Sequence, residues 1–356
     1  MRIPTKTQLG LLFLAIACFI GVVTSLIVNS LVTNQIIFEA QERVKEHLST
    51  AQWVYASKIK DIDRTIRWTS ARQMVLTKAI KGKDISLIRD PFSRLMAEEG
   101  LDFLTLVDRK GTVIFRAHNP GASGDSLIND PFIKIGLEKR GISGTQLLSE
   151  KELLREGEAL EKKAIIRLVP TPKAKPVEKV EETYGMILRA AHPVIDFNGQ
   201  VLGVLTGGVL LNRNYEIVDR IKNIVFKDAK YKGKDIGTAT IFLDDLRIST
   251  NVIDKEGNRA IGTRAMKEVQ EQVLEKGLPW IHRAFVVDDW YITAYEPIRD
   301  IQDRIVGILY VGMLESKYAM MKERLILLFF LFSMSGMLFA LTISFLLSWR
   351  MLKNKS

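Results

Sequence analysis

Two long stretches of the chain contain no charged residue. The first extends from Thr7 to Phe38 and the second from Leu325 to Trp349. A helix needs about 20 consecutive apolar residues to cross the hydrocarbon core of a bilayer. The pattern therefore predicts two transmembrane helices, at residues 9–32 and 325–349. The first stretch is too long for the apolar core of a cleavable signal peptide, so we expect it to remain as an anchor.

A helical pattern continues beyond the first predicted span. No glycine occurs between Gly21 and Gly82, and mostly apolar residues recur at steps of three and four, as on one face of an amphipathic helix. These residues are Val44, Leu48, Ala51, Tyr55, Ile59, Ile62, Ile66, Thr69, Leu76 and Ile80. The pattern predicts a continuous stalk helix at residues 33–81. Its apolar stripe serves either as a dimer seam or as the face that packs against the domain that the stalk carries.

From Leu101 onward the apolar positions alternate as they do in strands. Residues 101–119 and 241–252 each predict a strand, a turn and a second strand, and residues 282–298 predict two more strands around Asp288 and Asp289. Helices are predicted at residues 130–141, 214–226 and 265–277. The predicted fold class is therefore α+β, with antiparallel sheets following a long N-terminal helix.

One segment of the chain occurs twice. The sequence "AHPVIDFNGQVLGVLTGGVL" begins at Ala191, and "YEPIRDIQDRIVGILYVGML" begins 104 residues later, at Tyr295. In each copy an aspartate and a polar tetrapeptide predict a hairpin turn, and the small residues Gly203 and Gly307 predict the close approach of a neighbouring element. The repeat indicates two modules of the same kind.

The repeat divides the chain into segments. A first module is expected at residues 82–211, a connecting helix and loop at 212–237, and a second module at 238–320. The first module is longer because extra residues lie between Gly144 and Gly185. Part of that insertion, "PTPKAKPVEKVEET", is rich in Pro, Lys and Glu and predicts a solvated loop.

The charge distribution predicts the orientation in the membrane. The formal net charge is +10, and half of it comes from five basic residues at the two tips, residues 1–8 and 350–356. The positive-inside rule then places both tips in the cytoplasm and residues 33–324 outside it. The remaining excess of positive charge is weak and spread over the long central region, so no nucleic acid partner is expected.

Cysteine and histidine usage narrows the possible chemistry. The only cysteine, Cys18, lies inside the first predicted span, which excludes disulfides, thiolate metal clusters and a C-x-x-C-H haem site. The four histidines do not have the spacing of a metal site, and G-x-S-x-G, Walker A and H-E-x-x-H motifs are absent from the sequence. We therefore expect no metal, no cofactor and no enzymatic activity in this chain. An exported domain without disulfides suits a bacterial cell envelope.

Several segments carry a resemblance to a known family. They are "VDRKGTVIFRAHNP" in the first module and "RISTNV", "WYITAYEPIRD" and "VGILYVGMLESKY" in the second. Together with the two spans, they resemble the double Cache family, the tandem PAS-like extracytoplasmic sensor domains of bacterial chemoreceptors and sensor histidine kinases. The resemblance covers about residues 41–318. It implies a small-molecule sensor in the bacterial inner membrane, with a pocket over one face of each sheet.

The same resemblance implies partners and a mode of signalling. Ligands of the family are amino acids, short carboxylates and other small metabolites, bound most often by the membrane-distal module, which is the first module here. A homodimer through the stalk and transmembrane helices is expected, and ligand binding shifts the helix that enters the membrane. After residue 349 the sequence contains no HAMP helix or kinase. We expect either an output domain beyond residue 356 or a separate cytoplasmic signalling partner. A structural or partner-binding envelope protein with degenerate modules is the alternative.

Candidate binding residues follow from the chemistry of a Cache-like pocket, where the arginine fork binds a carboxylate through two parallel hydrogen bonds. In the second module the candidates are Arg247, Ser249 and Asn251, expected on one strand face, with Arg264, Tyr291 and Tyr295. In the first module they are Arg116, His118, Asn119 and Asp125. The alternative for the second set is a solvated strand face with an arginine that braces a loop. The alternative for Asp125 is a loop cap.

Overall fold

The computed structural model describes residues 5–227 and 229–353. The chain divides into two compact units, one formed by residues 44–313 and one by residues 1–43 together with 314–356. The outermost residues of the predicted cytoplasmic tips, 1–4 and 354–356, lie outside the described residues.

Two helices in the described residues are long and apolar enough to cross a membrane. The candidate spans are Phe19–Ser70, which belongs to helix α1 (Thr5–Ser70), and Glu315–Ile343, which belongs to helix α9 (Glu315–Lys353). Helices α1 and α9 contain the apolar stretches that the sequence pattern predicts as spans.

The predicted stalk helix is not continuous to residue 81. Helix α1 ends at Ser70, and a separate helix α2 (Gln73–Lys81) follows. At the end of α1, the hydroxyls of Thr69 and Ser70 donate hydrogen bonds back to the carbonyl oxygens of Thr65 and Arg67. Such back-bonding slightly destabilises and often bends helices, and the apolar periodicity contains no signal for it.

The apolar stripe of α1 packs against the domain. Val44, Ala51 and Ile66 are fully buried, and Leu48 and Ile62 are nearly so. The stripe therefore serves as the face that contacts the folded domain from Val44 onward, which is one of the two alternatives left by the sequence.

The remaining elements follow in alternating groups of helices and strands. The helices are α3 (Ser86–Glu99), α4 (Pro131–Leu137), α5 (Glu150–Glu156), α6 (Glu158–Ala164), α7 (Glu216–Phe226) and α8 (Lys267–Gln270), which continues as a π-helix over Glu271–Glu275. The first seven strands are β1 (Phe103–Asp108), β2 (Val113–Arg116), β3 (Ile142–Leu148), β4 (Ile166–Arg167), β5 (Glu181–Glu182), β6 (Gly185–Ile195) and β7 (Val201–Leu210). The other seven are β8 (Lys230–Tyr231), β9 (Lys234–Asp235), β10 (Gly237–Leu243), β11 (Leu246–Thr250), β12 (Trp280–Val286), β13 (Asp289–Arg299) and β14 (Ile305–Leu314).

The long strands form two antiparallel sheets of five strands. The first sheet has the order β2-β1-β7-β6-β3, and the second has the order β11-β10-β14-β13-β12. These orders are equivalent. In the first sheet the hairpin β1–β2 lies at one edge, beside the hairpin β6–β7 of the repeated segment, and in the second sheet the hairpin β10–β11 lies in the same way beside β13–β14. The α+β fold class and the antiparallel sheets predicted from the sequence are confirmed, and the strand orders reproduce the internal repeat.

The hairpin turns of the two repeats have the same geometry. Asp196 accepts hydrogen bonds from the backbone amides of Asn198 and Gln200, each at 3.0 Å. Asp300 likewise accepts from the amides at residues 302 and 304, at 2.9 and 3.0 Å. Both aspartates therefore shape a four-residue turn, as the repeated pattern predicts.

Gly203 and Gly307, the two glycines at equivalent positions of the repeat, also share the same role. A Cβ atom at Gly203 would lie 2.0 Å from the carbonyl oxygen of Val107, and one at Gly307 would lie 2.0 Å from the carbonyl oxygen of Phe242. In each sheet the glycine permits the neighbouring strand to approach closely.

The extra residues of the first module lie between β3 and β6. They form α5 and α6 and then a segment whose residues 175–181 are exposed, as predicted for a solvated loop. The start of this loop is hydrogen-bonded to the segment that follows β11. The Thr171 hydroxyl accepts a hydrogen bond from the amide of Arg264 at 3.0 Å, and the carbonyl oxygen of Lys173 accepts one from the amide of Lys267 at 2.8 Å. The insertion therefore contacts the second sheet's connections.

Each sheet has its two faces covered by different elements. Ile66 of α1 lies against Gly207 on one face of the first sheet, and α4 and α5 lie over the other face. On the second sheet, α7 covers one face through Val218 and Phe226. The opposite face carries Phe242 and Tyr310, and Arg247 on this face donates to the hydroxyl of Thr263 in the connection from β11 to α8. Arg247, Tyr291, Tyr295 and most of the first-module candidates lie on these second faces.

Candidate functional site

A β-bulge in strand β11 changes the face of the sheet on which its side chains lie. Thr240 pairs with Thr250 and Ile241 with Ser249, but Phe242 pairs with Arg247, so Ile248 is an extra residue. Because side chains alternate along a strand, an extra residue shifts all later ones to the opposite face. Arg247 and Ser249, predicted on one face, therefore lie on opposite faces.

The two displaced residues support the backbone instead of a pocket. Ser249 donates a hydrogen bond to the carbonyl oxygen of Asn214. Asn251 accepts from the amide of Ala239 at 2.8 Å and donates to the carbonyl oxygen of Val218 in α7 at 3.0 Å. The prediction that Ser249 and Asn251 share a ligand face with Arg247 is corrected by this geometry.

Arg264 braces a turn, which is the alternative that the sequence left open. Its guanidinium donates to both carboxylate oxygens of Asp245, at 3.0 and 2.6 Å, and also to the carbonyl oxygen of Lys175. With these partners Arg264 joins the β10–β11 turn to the insertion loop and is not brought to Arg247.

Arg247 lies on the face opposite α7 and is almost completely buried. Its guanidinium carbon lies 5.0 Å from the ring centre of Phe242. It donates to the hydroxyl of Thr263, and its Nε lies 3.4 Å from the hydroxyl of Thr240. The structure thus brings Arg247 together with aromatic rings and hydroxyl groups.

Tyrosines complete this cluster. The rings of Tyr295 and Tyr310 pack at a tilt with their centres 4.6 Å apart, and both rings also contact Phe242. Burial raises the pKa of Tyr310 to about 12 and raises the pKa of Tyr295 well above its usual value. The predicted residue Tyr295 is therefore near Arg247, and Tyr310, which the sequence reasoning did not select, joins it.

Strand β13 supplies the remaining polar groups of this face. Tyr291 and Tyr295 lie four residues apart on β13, so the alternation of the strand places both on one face. Tyr291 is buried and close enough to Arg247 to affect the ionisation of its guanidinium. Between the two tyrosines, the hydroxyl of Thr293 donates to the carbonyl oxygen of His282 at 2.7 Å. Tyr291 and Tyr295 are thus brought together with Arg247, as predicted.

The first-module candidates form a different kind of cluster. Arg116 is almost completely buried and donates to both carboxylate oxygens of Asp125, at 2.7 and 2.9 Å. It also donates to the carbonyl oxygen of Ala122 at 3.1 Å, and its Nε lies 3.3 Å from Glu156. The hydrogen bonds from Arg116 hold the pKa of Asp125 below its usual value. Arg116 and Asp125 are thus brought together, but as partners of each other.

His118 joins this cluster, and Asn119 does not. The Nε2 atom of His118 lies 3.0 Å from Glu156, and its Nδ1 accepts from the amide of Leu104 at 3.3 Å, which assigns the proton to Nε2. Asn119 makes no side-chain hydrogen bond to a described residue. Its carbonyl oxygen accepts from the amide of Ala122 at 3.0 Å, which places Asn119 in the loop before Asp125.

Three residues that the sequence reasoning missed complete the first site. Arg189 on β6 is almost completely buried and donates to Asp130 at 2.7 Å, and its other hydrogen bonds reach Gln146 and Thr206, each at 2.8 Å. Glu156 at the end of α5 accepts from the hydroxyl of Thr105 at 3.0 Å. The missed residues are Arg189, Asp130 and Glu156.

The acids of this site are ionised. Burial opposes ionisation of Glu156, but His118 and Arg116 outweigh it, so the pKa of Glu156 lies below its usual value. Burial also opposes ionisation of Asp130, and Arg189 outweighs it, so the pKa of Asp130 is lowered as well. The cluster therefore combines fixed negative and positive charges at neutral pH.

A cavity of about 390 Å³ lies over this face of the first sheet. Phe103 and Leu148 give it apolar surface, and Arg155 is exposed there and forms no ion pair with a described residue. The arrangement can hold a small molecule that carries both a cationic and an anionic group. The polar lining includes Ser126, Asn129, Asp130, Arg155, Glu156 and Arg189.

One of the missed residues had a signal in the sequence. Arg189 is the only Asp, Glu, Lys or Arg in the mostly apolar run "GMILRAAHPVI", and a buried charge is costly unless it is paired. Glu156 had none, because it belongs to an insertion whose docking over the sheet depends on the tertiary structure. Among the described residues no group of His, Cys, Asp and Glu has the arrangement of a metal site.

Comparison with known protein families gives one match. Residues 209–325, which include the whole second sheet, match the family named single Cache domain 3. No curated protein matches the chain.

Solved structures give weaker likenesses. The periplasmic domain of LuxQ from Vibrio cholerae has 12% identity and a TM-score of 0.44, covering 76% of this chain and 98% of that domain. The DctB sensor domain of V. cholerae has 10% identity and a TM-score of 0.40, covering 81% and 98%. The sensory domain of the Campylobacter jejuni chemoreceptor Tlp3, solved with isoleucine bound, has 8% identity and a TM-score of 0.41, covering 82% and 98%.

The family match covers the segments "RISTNV", "WYITAYEPIRD" and "VGILYVGMLESKY", which carried the resemblance in the second module. Residues 209–325, about a third of the chain, are thus similar to the family single Cache domain 3.

Proposed function

We propose that this protein is a membrane-anchored extracytoplasmic sensor that binds a small molecule over its first sheet. The Cache match in residues 209–325 supports a sensory role. The equivalent strand order of the first sheet supports a second Cache-type module in tandem. The two apolar helices and the basic tips support anchoring in a bacterial inner membrane with both ends in the cytoplasm.

The observation that carries the proposal is the charged cavity over the first sheet. Its volume of about 390 Å³ is in the range of small-molecule pockets. Asp130, Glu156 and Arg189 line it from three separate elements and are held by further hydrogen bonds. Such support keeps the charged groups in fixed positions for a ligand.

The charges favour a ligand with an amine and a carboxylate. Glu156 and Asp130 offer carboxylates for the amine, and Arg155 offers a guanidinium without an ion-pair partner in the described residues for the carboxylate. An amino acid has both groups and fits the volume. This chemistry agrees with the ligand class expected from the family resemblance.

The signal would pass along the chain to the membrane. Strand β14 is followed directly by α9 at residue 315, so a change in the sheet can be transmitted to the second span without an intervening loop. A shift of about 1–2 Å is sufficient if the element has two stable positions. We propose a homodimer as the signalling unit and an output domain or separate partner in the cytoplasm, with no enzymatic activity in residues 1–356.

The experiment is a ligand screen on the full chain in detergent micelles. Thermal unfolding is measured with each of the common amino acids and short carboxylates. The key variant is Asp130→Asn, which removes the charge but retains an N-cap residue for α4. Its matched control is Asp219→Asn, since Asp219 also pairs with an arginine, Arg259, on another part of the protein.

We expect at least one amino acid to stabilise the wild type and Asp219→Asn but not Asp130→Asn. Absence of stabilisation by every compound, or equal stabilisation of all three proteins, contradicts ligand binding at this cavity and favours the scaffold alternative.

A further inference from the structure

A second cavity, of about 360 Å³, lies where helix α1 meets both five-stranded sheets. Helix α1 contributes Gln52, Tyr55 and Ile59, and strands β3, β13 and β14 contribute the other walls. The edge strand β3 of the first sheet contacts the β13–β14 turn of the second sheet through a backbone bridge between Thr145 and Asp300. We call this space the junction cavity, because α1 and both sheets are needed to form it.

The junction cavity is separate from the two clusters described above. Glu296 directly follows Tyr295 on β13, so strand alternation directs these two side chains to opposite faces of the second sheet. Leu309 and Tyr310 are related in the same way on β14. The junction cavity therefore lies on the face opposite Tyr295 and Tyr310, and it shares no lining residue with the charged cavity over the first sheet.

One charge at the junction cavity is left unbalanced. Arg299 donates to the carbonyl oxygen of Asp303 at 2.9 Å and lies 3.5 Å from its carboxylate. Asp300 accepts from the Nε of Arg304 at 2.8 Å. Glu296, in contrast, forms no ion pair in the part of the chain that the structure describes. The lining thus carries a net negative charge at Glu296.

The carboxylate of Glu296 is held in place but has a free oxygen. The side-chain amide of Gln52 donates to its Oε2 atom. Its Oε1 atom accepts no hydrogen bond from the residues that the structure describes. Burial raises the pKa of Glu296 above its usual value, and among the described residues no cation lowers it again. A carboxylate that is partly removed from water in this way is stabilised by a bound cation.

The rest of the lining favours an organic cation over a metal ion. Ile59, Ile301 and Leu309 give the junction cavity apolar surface. The hydroxyl of Tyr55 is already hydrogen-bonded to that of Thr145, at 2.8 Å. Within the described ranges no group of His, Cys, Asp and Glu has the arrangement of a metal site. The volume is in the range of small-molecule pockets.

We propose that the junction cavity binds a small alkylammonium ion. The ammonium group would donate a charge-assisted hydrogen bond to Oε1 of Glu296, and the alkyl chain would lie against Ile59 and Leu309. Since α1, β3 and β13 all line the cavity, a bound ion would hold the stalk helix to both sheets. The proposal is independent of amino acid binding over the first sheet, because the two cavities have no residue in common.

The test is isothermal titration calorimetry of the full chain in detergent micelles with n-butylammonium chloride, corrected by a titration into micelles alone. The key variant is Glu296→Gln, which keeps the shape of the side chain and removes its charge. The matched control is Glu216→Gln, because Glu216 also contacts α1 but already pairs with Lys58 at 2.8 Å.

We expect saturable binding by the wild type and by Glu216→Gln. The affinity of Glu296→Gln should be about 10–100-fold lower, the size expected for the loss of one hydrogen bond to a charged group. Absence of saturable binding by the wild type, or unchanged affinity in Glu296→Gln, overturns the proposal.

A second measurement locates the ion without any variant. Hydrogen–deuterium exchange of the wild type with n-butylammonium should become slower at residues 296–301, which line the junction cavity. Slower exchange only at residues 126–130 would place the amine in the cavity over the first sheet and overturn the proposal, while leaving the proposed function intact.

Discussion

Replacing two buried arginines by methionine should have opposite effects on stability. Arg247 has no acidic partner among the described residues, whereas Arg189 pairs with Asp130 at 2.7 Å. We expect Arg247→Met to raise the stability of the protein and Arg189→Met to lower it. The two substitutions are chemically identical, so the difference reports the pairing of each arginine.

The magnitudes follow from what each substitution leaves behind. Removing Arg247 relieves a burial penalty of several kcal/mol. It also removes a cation–π contact with Phe242, worth about 0.5–2 kcal/mol. The hydroxyls of Thr240 and Thr263 keep other hydrogen bonds, so little further cost arises. A net gain of about 1–2 kcal/mol remains.

Removing Arg189 leaves a buried carboxylate without its partner, which costs about 3–5 kcal/mol. The amides of Phe132 and Ile133 still donate to Asp130, so we expect the lower end of this range. The assay is thermal unfolding in detergent followed by circular dichroism, where 1 kcal/mol shifts the midpoint by about 2–4 °C for a domain of this size. A midpoint of Arg247→Met below that of the wild type would refute the reasoning about the unpaired charge.

Three further predictions concern the domain as a whole. The pKa values of Asp130 and Glu156 are lower in the folded state than in the unfolded state. Their contribution to stability is therefore complete above the unfolded pKa values of about 4, and it is lost as the pH falls through the folded-state values. Measuring the free energy of unfolding as a function of pH in the acid range will test this. Gly307→Ala should cost about 1–3 kcal/mol, because its Cβ would lie 2.0 Å from a carbonyl oxygen, whereas Gly121→Ala, with nothing within 4 Å, should be neutral in the same denaturation assay. A cysteine at the exposed position Glu178, in a cysteine-free background, should react with a membrane-impermeant maleimide in intact cells, and labelling only after lysis would contradict the proposed orientation.

The sequence pattern predicts the parts of the fold that depend on local chemistry. Asp196 and Asp300 lie at equivalent positions of the repeat, and both shape a turn through backbone amides. Gly203 and Gly307 permit the same close approach of strands. These features follow from residue types at fixed places in the repeat, which is why a single sequence contains them.

The remaining features depend on long-range contacts. A bulge at Ile248 reversed the face of Ser249 and Asn251, and strand alternation gives no signal for one extra residue. Glu156 reaches the first site because the insertion folds over the sheet. The break between Ser70 and Gln73 is likewise not reported by apolar periodicity. Arg116 and Arg247 were identified from the sequence, but Arg189 and most of the partners of these arginines were not.

The most direct test of ligand sensing is hydrogen–deuterium exchange of the full chain with and without the amino acid found in the screen. Ligand binding over the first sheet predicts slower exchange in α5 and in residues 126–130, which border the charged cavity, and no change in the β8–β9 hairpin. Unchanged exchange around the cavity, with protection only elsewhere in the protein, would contradict the central claim.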